Sequence, residues 1–348
     1  MCFRGTFLKT LFLIRAHKMA QVFVMQTISL VRGFCRCASA GKVVRMPMSP
    51  EVIANPKSER VRRVAGLDRP QQRRKSGRFL VEGPQSVREL VRYRPDAVVD
   101  CYAQVEGLEG FSSPTVASIV DAALRRKLYV HRVTAEVMHK MSTDSQGIVA
   151  VASMETMRFA APCLAGAGEV RDGGASPLVA AFWQVRDPGN AGTVIRAADA
   201  AGCRAVVFID DCVDRFNPKV VRSTAGSLFH VPVLTMGTDE FFAWSTSASV
   251  AVIAADVYGT PQVRPESLVD VIRDDTDSLI ATAHGKTSSN AGPAGTAVLF
   301  GNEARGLPQE VLRRVSRIVS IPIYGKAESL NLATSSAVML YALAMARS

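Results

Sequence analysis

Between Leu178 and Ile323 the chain alternates short, nearly continuous apolar runs with helix-length segments, and this pattern limits the possible folds more than any other feature. The runs are Leu178 to Val185, Ala205 to Ile209, Val250 to Ala255, Ala297 to Phe300 and Ile318 to Ile323. A strand with one wet face alternates apolar and polar residues. A run with few polar positions belongs to a strand covered on both faces, as in a parallel sheet flanked by helices. Helices are expected over Ala191 to Ala201, Pro218 to Gly226, Gln309 to Val315 and Leu332 to Ala346. The last is apolar on nearly every face, which predicts burial against the sheet or a partner subunit.

The front of the chain reads as a smaller α/β unit. Strands are expected over Arg78 to Gly83, Ala97 to Val105, Lys127 to Val130 and Gly147 to Ala152, with helices over Pro50 to Arg63, Pro84 to Val91 and Ser118 to Arg126. Residues 156–177 are rich in Gly, Ala and Pro and form a linker by composition. The domain organisation is therefore a basic tail over 1–48, a small domain over 49–155, the linker, and a larger domain over 178–348. His284 to Gly295 reads as a flexible surface insertion, and no internal repeat is visible.

Charge divides the chain in the same way. The net charge is +11, with eight Lys or Arg and no acid in residues 1–48 and twelve basic against four acidic residues in 57–94. The remainder is net acidic. A basic front on a mildly acidic body predicts a polyanion-binding module attached to something else. The tail itself is expected to be a disordered basic arm or sequence ahead of a true start at Met46 or Met48. Its apolar stretch from Thr10 to Met25 is interrupted by Arg15, His17 and Lys18 and is too short and charged to span a bilayer. Seven cysteines without a C-x-x-C pair, and five scattered histidines, predict a reduced, metal-free, cytoplasmic protein.

Three polar, glycine-containing segments follow apolar runs: Asp187-Pro188-Gly189-Asn190-Ala191-Gly192-Thr193-Val194-Ile195-Arg196, Gly301-Asn302-Glu303-Ala304-Arg305-Gly306-Leu307-Pro308, and Ile321-Pro322-Ile323-Tyr324-Gly325-Lys326-Ala327-Glu328-Ser329-Leu330-Asn331-Leu332. In the first, Asn190 is suited to cap the following helix, whose free N–H groups favour an anion, and Arg196 lies a little under two turns on. In the second, Glu303 places a carboxylate just after a buried strand, where it needs a partner or a ligand. In the third, Ser329 can cap the final helix, with Asn331 in its first turn. Each segment alone also reads as ordinary strand–turn–helix punctuation. The first is not a G-x-G-x-x-G fingerprint, which argues against a nicotinamide-dependent oxidoreductase.

In order and spacing the three segments resemble the three motifs of the SpoU (TrmH-like) branch of the SPOUT RNA methyltransferases, and the likeness covers about 178–348. Residues 55–92, especially Arg73-Arg74-Lys75-Ser76-Gly77-Arg78-Phe79-Leu80-Val81-Glu82-Gly83, also resemble the substrate-binding domain that often precedes this catalytic domain. The resemblance implies an α/β-knot, a parallel sheet flanked by helices whose C-terminal chain forms a trefoil knot. It implies methyl transfer from S-adenosylmethionine to a ribose 2′-hydroxyl in structured RNA, with rRNA expected ahead of tRNA. It implies that Gly301, Ile321 and Leu330 contact the cofactor, and that Asn190, Arg196, Glu303, Ser329 and Asn331 fall at the family's polar site positions. It also implies a homodimer in which Arg196 completes the partner's site. Arg73, Arg74, Lys75 and Arg78 are then expected to grip RNA phosphates. One departure is Ala304, where many members carry Gly. A guanidinium has no acceptor when protonated, so Arg196 is expected to orient the ribose or a phosphate and stabilise a developing alkoxide rather than act as a base. The alternative is a non-catalytic RNA-binding or ribosome-assembly protein on the same scaffold; the intact set of polar positions argues against it.

Overall fold

The computed structural model describes residues 48–107, 110–159, 177–274 and 294–347. The basic tail through residue 47, the linker from 160 to 176 and the expected insertion through residue 293 lie outside the described residues. Strands β1 (Met48–Ile53), β2 (Arg78–Glu82), β3 (Val98–Glu106), β4 (Gly110–Phe111), β5 (Val130–Val133) and β6 (Ile148–Ser153) form the front sheet, with helices α1 (Glu59–Ala65), α2 (Pro70–Ser76), α3 (Pro84–Tyr93), α4 (Pro114–Arg125) and α5 (Ala135–Met141). The strand order is β1-β5-β3-β6-β2, with β4 paired to β3. β1, β5 and β3 are parallel, whereas β6 runs antiparallel to both β3 and β2.

Alternation along these strands sorts the helices onto two faces. Leu80, Tyr102, Val149 and Val151 point toward α1 and α5, with Val61, Val64, Val137 and Met138. Phe79, Val81, Cys101, Ala103, Ile148 and Ala150 point the other way, toward Val87 and Leu90 of α3 and Val116 and Ile119 of α4.

The second sheet contains β7 (Leu178–Trp183), β8 (Ala205–Ile209), β9 (Val233–Met236), β10 (Val250–Ala255), β11 (Glu266–Ser267), β12 (Gly295–Phe300) and β13 (Arg317–Ser320). Its order is β11-β13-β10-β12-β7-β8-β9, and each neighbouring pair is parallel. Helices α6 (Pro188–Ala200), α7 (Pro218–Ser223), α8 (Thr238–Ser247), α9 (Gln309–Leu312) and α10 (Leu332–Ala346) accompany it. The continuous apolar runs are thus buried parallel strands, as their composition demands.

Several expectations are corrected. The helix expected over Pro50 to Arg63 is instead β1 followed by α1. β1 is an edge strand with an irregular register between Met48 and Val52, where a proline is tolerated. Ser58 then caps α1, its hydroxyl accepting from the Val61 N–H. β5 begins at Val130, where the expected strand ended, because Lys127 has φ 60° and turns the chain out of α4. α2, α5, α8, β9 and β11 carry too few periodic apolar positions to stand out in the sequence.

The two sheets share one hydrophobic core, in which the Phe79 and Phe216 rings lie 4.6 Å apart. Polar ties reinforce the junction. Arg222 of α7 pairs with the buried Glu82 and, at 2.6 Å, with Asp144. β1 to α10 belong to one compact unit. α10 buries Leu332, Met339, Leu340 and Leu343 and packs on α6, but Val338, Tyr341 and Met345 stay exposed, Met345 at 69%. The expected all-round burial therefore holds for only one side of this helix within the single chain.

Candidate functional site

Strands β13, β10, β12 and β7 are consecutive neighbours, and all end on one edge of the second sheet. In open parallel sheets that edge is where ligands collect. The loops leaving β10, β12 and β13 enclose a cavity of 640 Å³, within the range of small-molecule sites. Its walls come from residues 255–259, 300–307, 319–323 and 329–332, closed by Ser335 and Met339 of α10.

The first motif loop starts α6 earlier than expected. Asp187, not Asn190, is the cap: its Oδ1 accepts from the Asn190 N–H at 2.7 Å, and Pro188 takes the first helical turn. This leaves the Asn190 side chain available for longer-range contacts. Its Nδ2 donates to Glu303 Oε1 at 3.2 Å, and its Oδ1 accepts from Asn331 Nδ2 at 3.2 Å. Asn331 in turn caps α10, Oδ1 accepting from the Ala333 N–H at 2.8 Å, in place of the expected Ser329. One hydrogen-bonded chain, Asn331–Asn190–Glu303, therefore joins loops separated by 113 and 141 residues in sequence.

The loop after β12 is fixed by Asn302, which the sequence reading passed over. Asn302 is buried, and its Nδ2 donates to the Gln184 carbonyl at 2.7 Å, linking the ends of β12 and β7. Its Oδ1 accepts from the N–H groups of Ala304 and Arg305, an Asx turn of the kind that an Asn two residues before a bend can signal. Asn302 and Gly306 also exchange backbone hydrogen bonds. The returning loop crosses so close to Gly301 that a Cβ there would lie 2.4 Å from the Gly306 carbonyl carbon and 2.6 Å from the Leu307 nitrogen. A fourth wall, unanticipated from sequence, follows β10: Asp256 Oδ1 accepts from the N–H groups of Tyr258 and Gly259, and Gln309 Nε2 donates to the Gly259 carbonyl at 3.0 Å.

Gly301, Glu303, Ile321, Ser329, Leu330 and Asn331 all line this cavity, and Asn190 reaches it through Glu303 and Asn331. Arg196 does not line it. It is exposed on α6, and its guanidinium makes no hydrogen bond or ion pair with a described residue. Burial pushes the thiols of Cys101 and Cys203 up to about 12 and that of Cys212 to about 11, so these three offer no thiolate at neutral pH. Among the described residues no group of three or more His, Cys, Asp or Glu could hold a metal ion, and no helix is long and apolar enough to cross a membrane.

The front sheet carries a second concavity of 1090 Å³ beside α1, α2 and α5. Arg60, Arg62, Arg63, Arg69, Lys75, Arg78 and Lys140 line it, against Glu59, Asp68 and Asp100. Lys75 and Arg78 were expected here; the others sit in the same basic run, or on α5, and were not singled out. Arg74 is exposed beside them. Arg73 is a correction. It is 0% exposed, its guanidinium donates to Asp214 Oδ2 at 2.6 and 2.9 Å and to the Leu67 and Asp68 carbonyls, and its burial keeps it from a phosphate. It ties the two sheets together instead.

Residues 177–341 match the SpoU rRNA Methylase family model. The chain is therefore similar to the SpoU family over just under half of its length, in its C-terminal part. Over 159 residues it is 34% identical to the 23S rRNA (guanosine(2553)-2′-O)-methyltransferase RlmP of Bacillus subtilis, an alignment covering 46% of this chain and 54% of that protein. An uncharacterised tRNA/rRNA methyltransferase of Synechocystis is 26% identical over 302 residues, 85% of this chain and 94% of the relative. The chain spans about half the length of the Bacillus relative and of a Streptomyces viridochromogenes 23S rRNA (uridine(2479)-2′-O)-methyltransferase. The AdoMet-bound rRNA methyltransferase of Sinorhizobium meliloti superposes with a TM-score of 0.63 at 24% identity, covering 85% of this chain and 97% of that one. The fold is therefore shared with that structure: a larger α/β domain preceded by a smaller one.

Proposed function

We propose that this protein transfers a methyl group from S-adenosylmethionine to a ribose 2′-hydroxyl of structured RNA, rRNA ahead of tRNA. The Asn331–Asn190–Glu303 chain carries this reading, because it gathers all three SpoU motifs at the mouth of one cavity. The cavity suits the cofactor: it is large enough, its floor includes the bare backbone at Gly301, and Ile321, Leu330 and Leu307 supply apolar surface for a purine. When bound, S-adenosylmethionine would supply an electrophilic methyl group. Gly301, Ile321 and Leu330 would hold it. Asn190, Glu303, Ser329 and Asn331 would fix the loops and orient the ribose, since positioning is most of what such a reaction asks of a protein.

A ribose hydroxyl is a weak nucleophile, so negative charge develops on its oxygen as its proton leaves. A permanently charged guanidinium stabilises that charge. Arg196 would do so from the partner of a homodimer, a reading supported by its exposure and by the open apolar side of α10. On the same reading the loops after β12 and β13 form a trefoil knot, residues 49–155 are the RNA-binding domain, and the protein works in the cytoplasm. The groove containing Arg60, Arg62, Arg63, Lys75 and Arg78 would take RNA phosphates, with Arg74 at its margin.

The test is direct. Purified protein should bind S-adenosylmethionine and move labelled methyl to rRNA from a deletion strain, at a 2′-oxygen; label on protein or DNA alone would overturn the reading. Arg196→Ala should remove most transfer while leaving cofactor affinity within about twofold, whereas equal loss of both would make Arg196 a cofactor or structural residue.

A further inference from the structure

The front domain carries a second basic surface that the groove beside α1 and α2 does not include. A shallow pocket of 290 Å³ lies between α3 and α4, with an apolar floor of Val91, Ile119 and Ala122. Arg88, Arg92, Arg125 and Arg126 ring it, all exposed. Arg88 is shared with Glu89 at 3.2 Å, and Arg92 lies over the Tyr93 ring; Arg125 and Arg126 make no ion pair with a described residue. Four guanidiniums from two helices around an apolar patch match a sugar–phosphate backbone, whose phosphates take forked donors and whose ribose faces pack on apolar surface.

Position gives this pocket its meaning. α1 and α5 cover one face of the front sheet, while α3 and α4 cover the other. The two basic surfaces are therefore separated by a helix–sheet–helix sandwich, on the order of 20 Å from axis to axis. One straight duplex cannot touch both. We infer that the pocket between α3 and α4 is a second RNA-phosphate site, and that the two sites together hold two different helical segments of one folded RNA. This rests on the RNA methyltransferase reading and narrows its substrate class. The preferred target is a multi-helix junction, as in ribosomal RNA, rather than a single stem-loop.

The experiment uses the full chain and two RNA probes, a single stem-loop and a three-helix junction containing that stem-loop. Binding is measured across a salt titration for wild type, Arg125→Gln/Arg126→Gln and Arg62→Gln/Arg63→Gln, with thermal midpoints checked for each. Wild type should prefer the junction. Neutralising Arg125 and Arg126 should lower the junction's log–log salt slope by about 2 and its affinity by about tenfold, with a much smaller loss for the stem-loop. Neutralising Arg62 and Arg63 should weaken both probes. Unchanged junction binding by Arg125→Gln/Arg126→Gln, in a protein that still methylates rRNA, would sink this inference and leave the methyltransferase reading standing. Absence of methyl transfer by wild type would remove both. If inorganic phosphate displaces the junction far better than chloride of equal ionic strength, the pocket is a small-anion site and the inference also fails.

Discussion

Gly301 and Arg73 show what a single residue can and cannot reveal before its neighbours are known. At Gly301 the backbone of Gly306 and Leu307 passes within van der Waals contact of the missing Cβ. Gly301→Ala forces main-chain atoms apart, a form of overpacking that costs about 1–3 kcal/mol. The expected outcome is a lowered thermal midpoint and a cofactor affinity reduced at least tenfold by calorimetry; unchanged affinity would mean the loop has another route across this point. The glycine was singled out by the resemblance to the SpoU motifs, and the backbone crossing that requires it has no local signal in the sequence. Arg73 is no easier to read. It is one of three successive basic residues, and α2 turns each about 100° from the last, so the three cannot all share one face. Its partner Asp214 lies 141 positions away, where no local pattern reveals it. Arg73→Ala would leave two carbonyls and a partly exposed carboxylate without their donor, and should destabilise the fold by about 1–3 kcal/mol in denaturant unfolding while leaving the RNA salt slope of the folded protein unchanged. A smaller slope would return Arg73 to the RNA interface.

At the level of elements, strands buried on both faces announced themselves, whereas edges and caps did not. β8 and β10 match their apolar runs, but β9 is a short edge strand interrupted by the exposed Thr235, and β1 contains a proline. Asp187 and Asn190 are both good caps, so only the observed hydrogen bond decides between them. The other edge of the second sheet is held by Arg317 of β13, which pairs with Glu266 of β11 at 2.5 Å. That hydrogen bond holds the Glu266 carboxyl below its ordinary value of 4.5. A depressed carboxylate pKa contributes stability that is full above the unfolded value and is lost as pH falls through the folded one. The stability difference between wild type and Arg317→Gln should therefore shrink below about pH 4.5. Both side chains are partly exposed, so it should not exceed about 1 kcal/mol at neutrality. A difference that persists at pH 2 would assign the effect to packing. α10 offers another test. For the proposed homodimer, Met345→Glu together with Tyr341→Glu should give monomers by light scattering where wild type gives dimers, since a charge on that open apolar side opposes its burial. Dimers that survive would place the interface elsewhere.

For the whole molecule, the shared core around Phe79 and Phe216, the Arg222–Glu82 pair and the buried Arg73 make the two sheets mutually dependent. Calorimetry should show one cooperative transition, with calorimetric and van't Hoff enthalpies in agreement; two resolved transitions would mean the sheets melt independently. The division into a basic front and a second α/β sheet was readable from charge and periodicity. The junction was not, because its partners come from opposite halves of the chain.

The strand order also has a consequence for biosynthesis. β12 lies between β7 and β10, both synthesised before it, and the cavity is closed only by residues up to Met339. Until β12 emerges, β7 and β10 each present an open, apolar parallel edge, the kind of surface that invites pairing with another chain. Translation from 295 to 339 takes about 2–9 s at ordinary elongation rates, an interval long enough for misassembly or for chaperone capture. A ribosome that stalls within it leaves a nascent chain with its sheet unzipped and its pocket unmade.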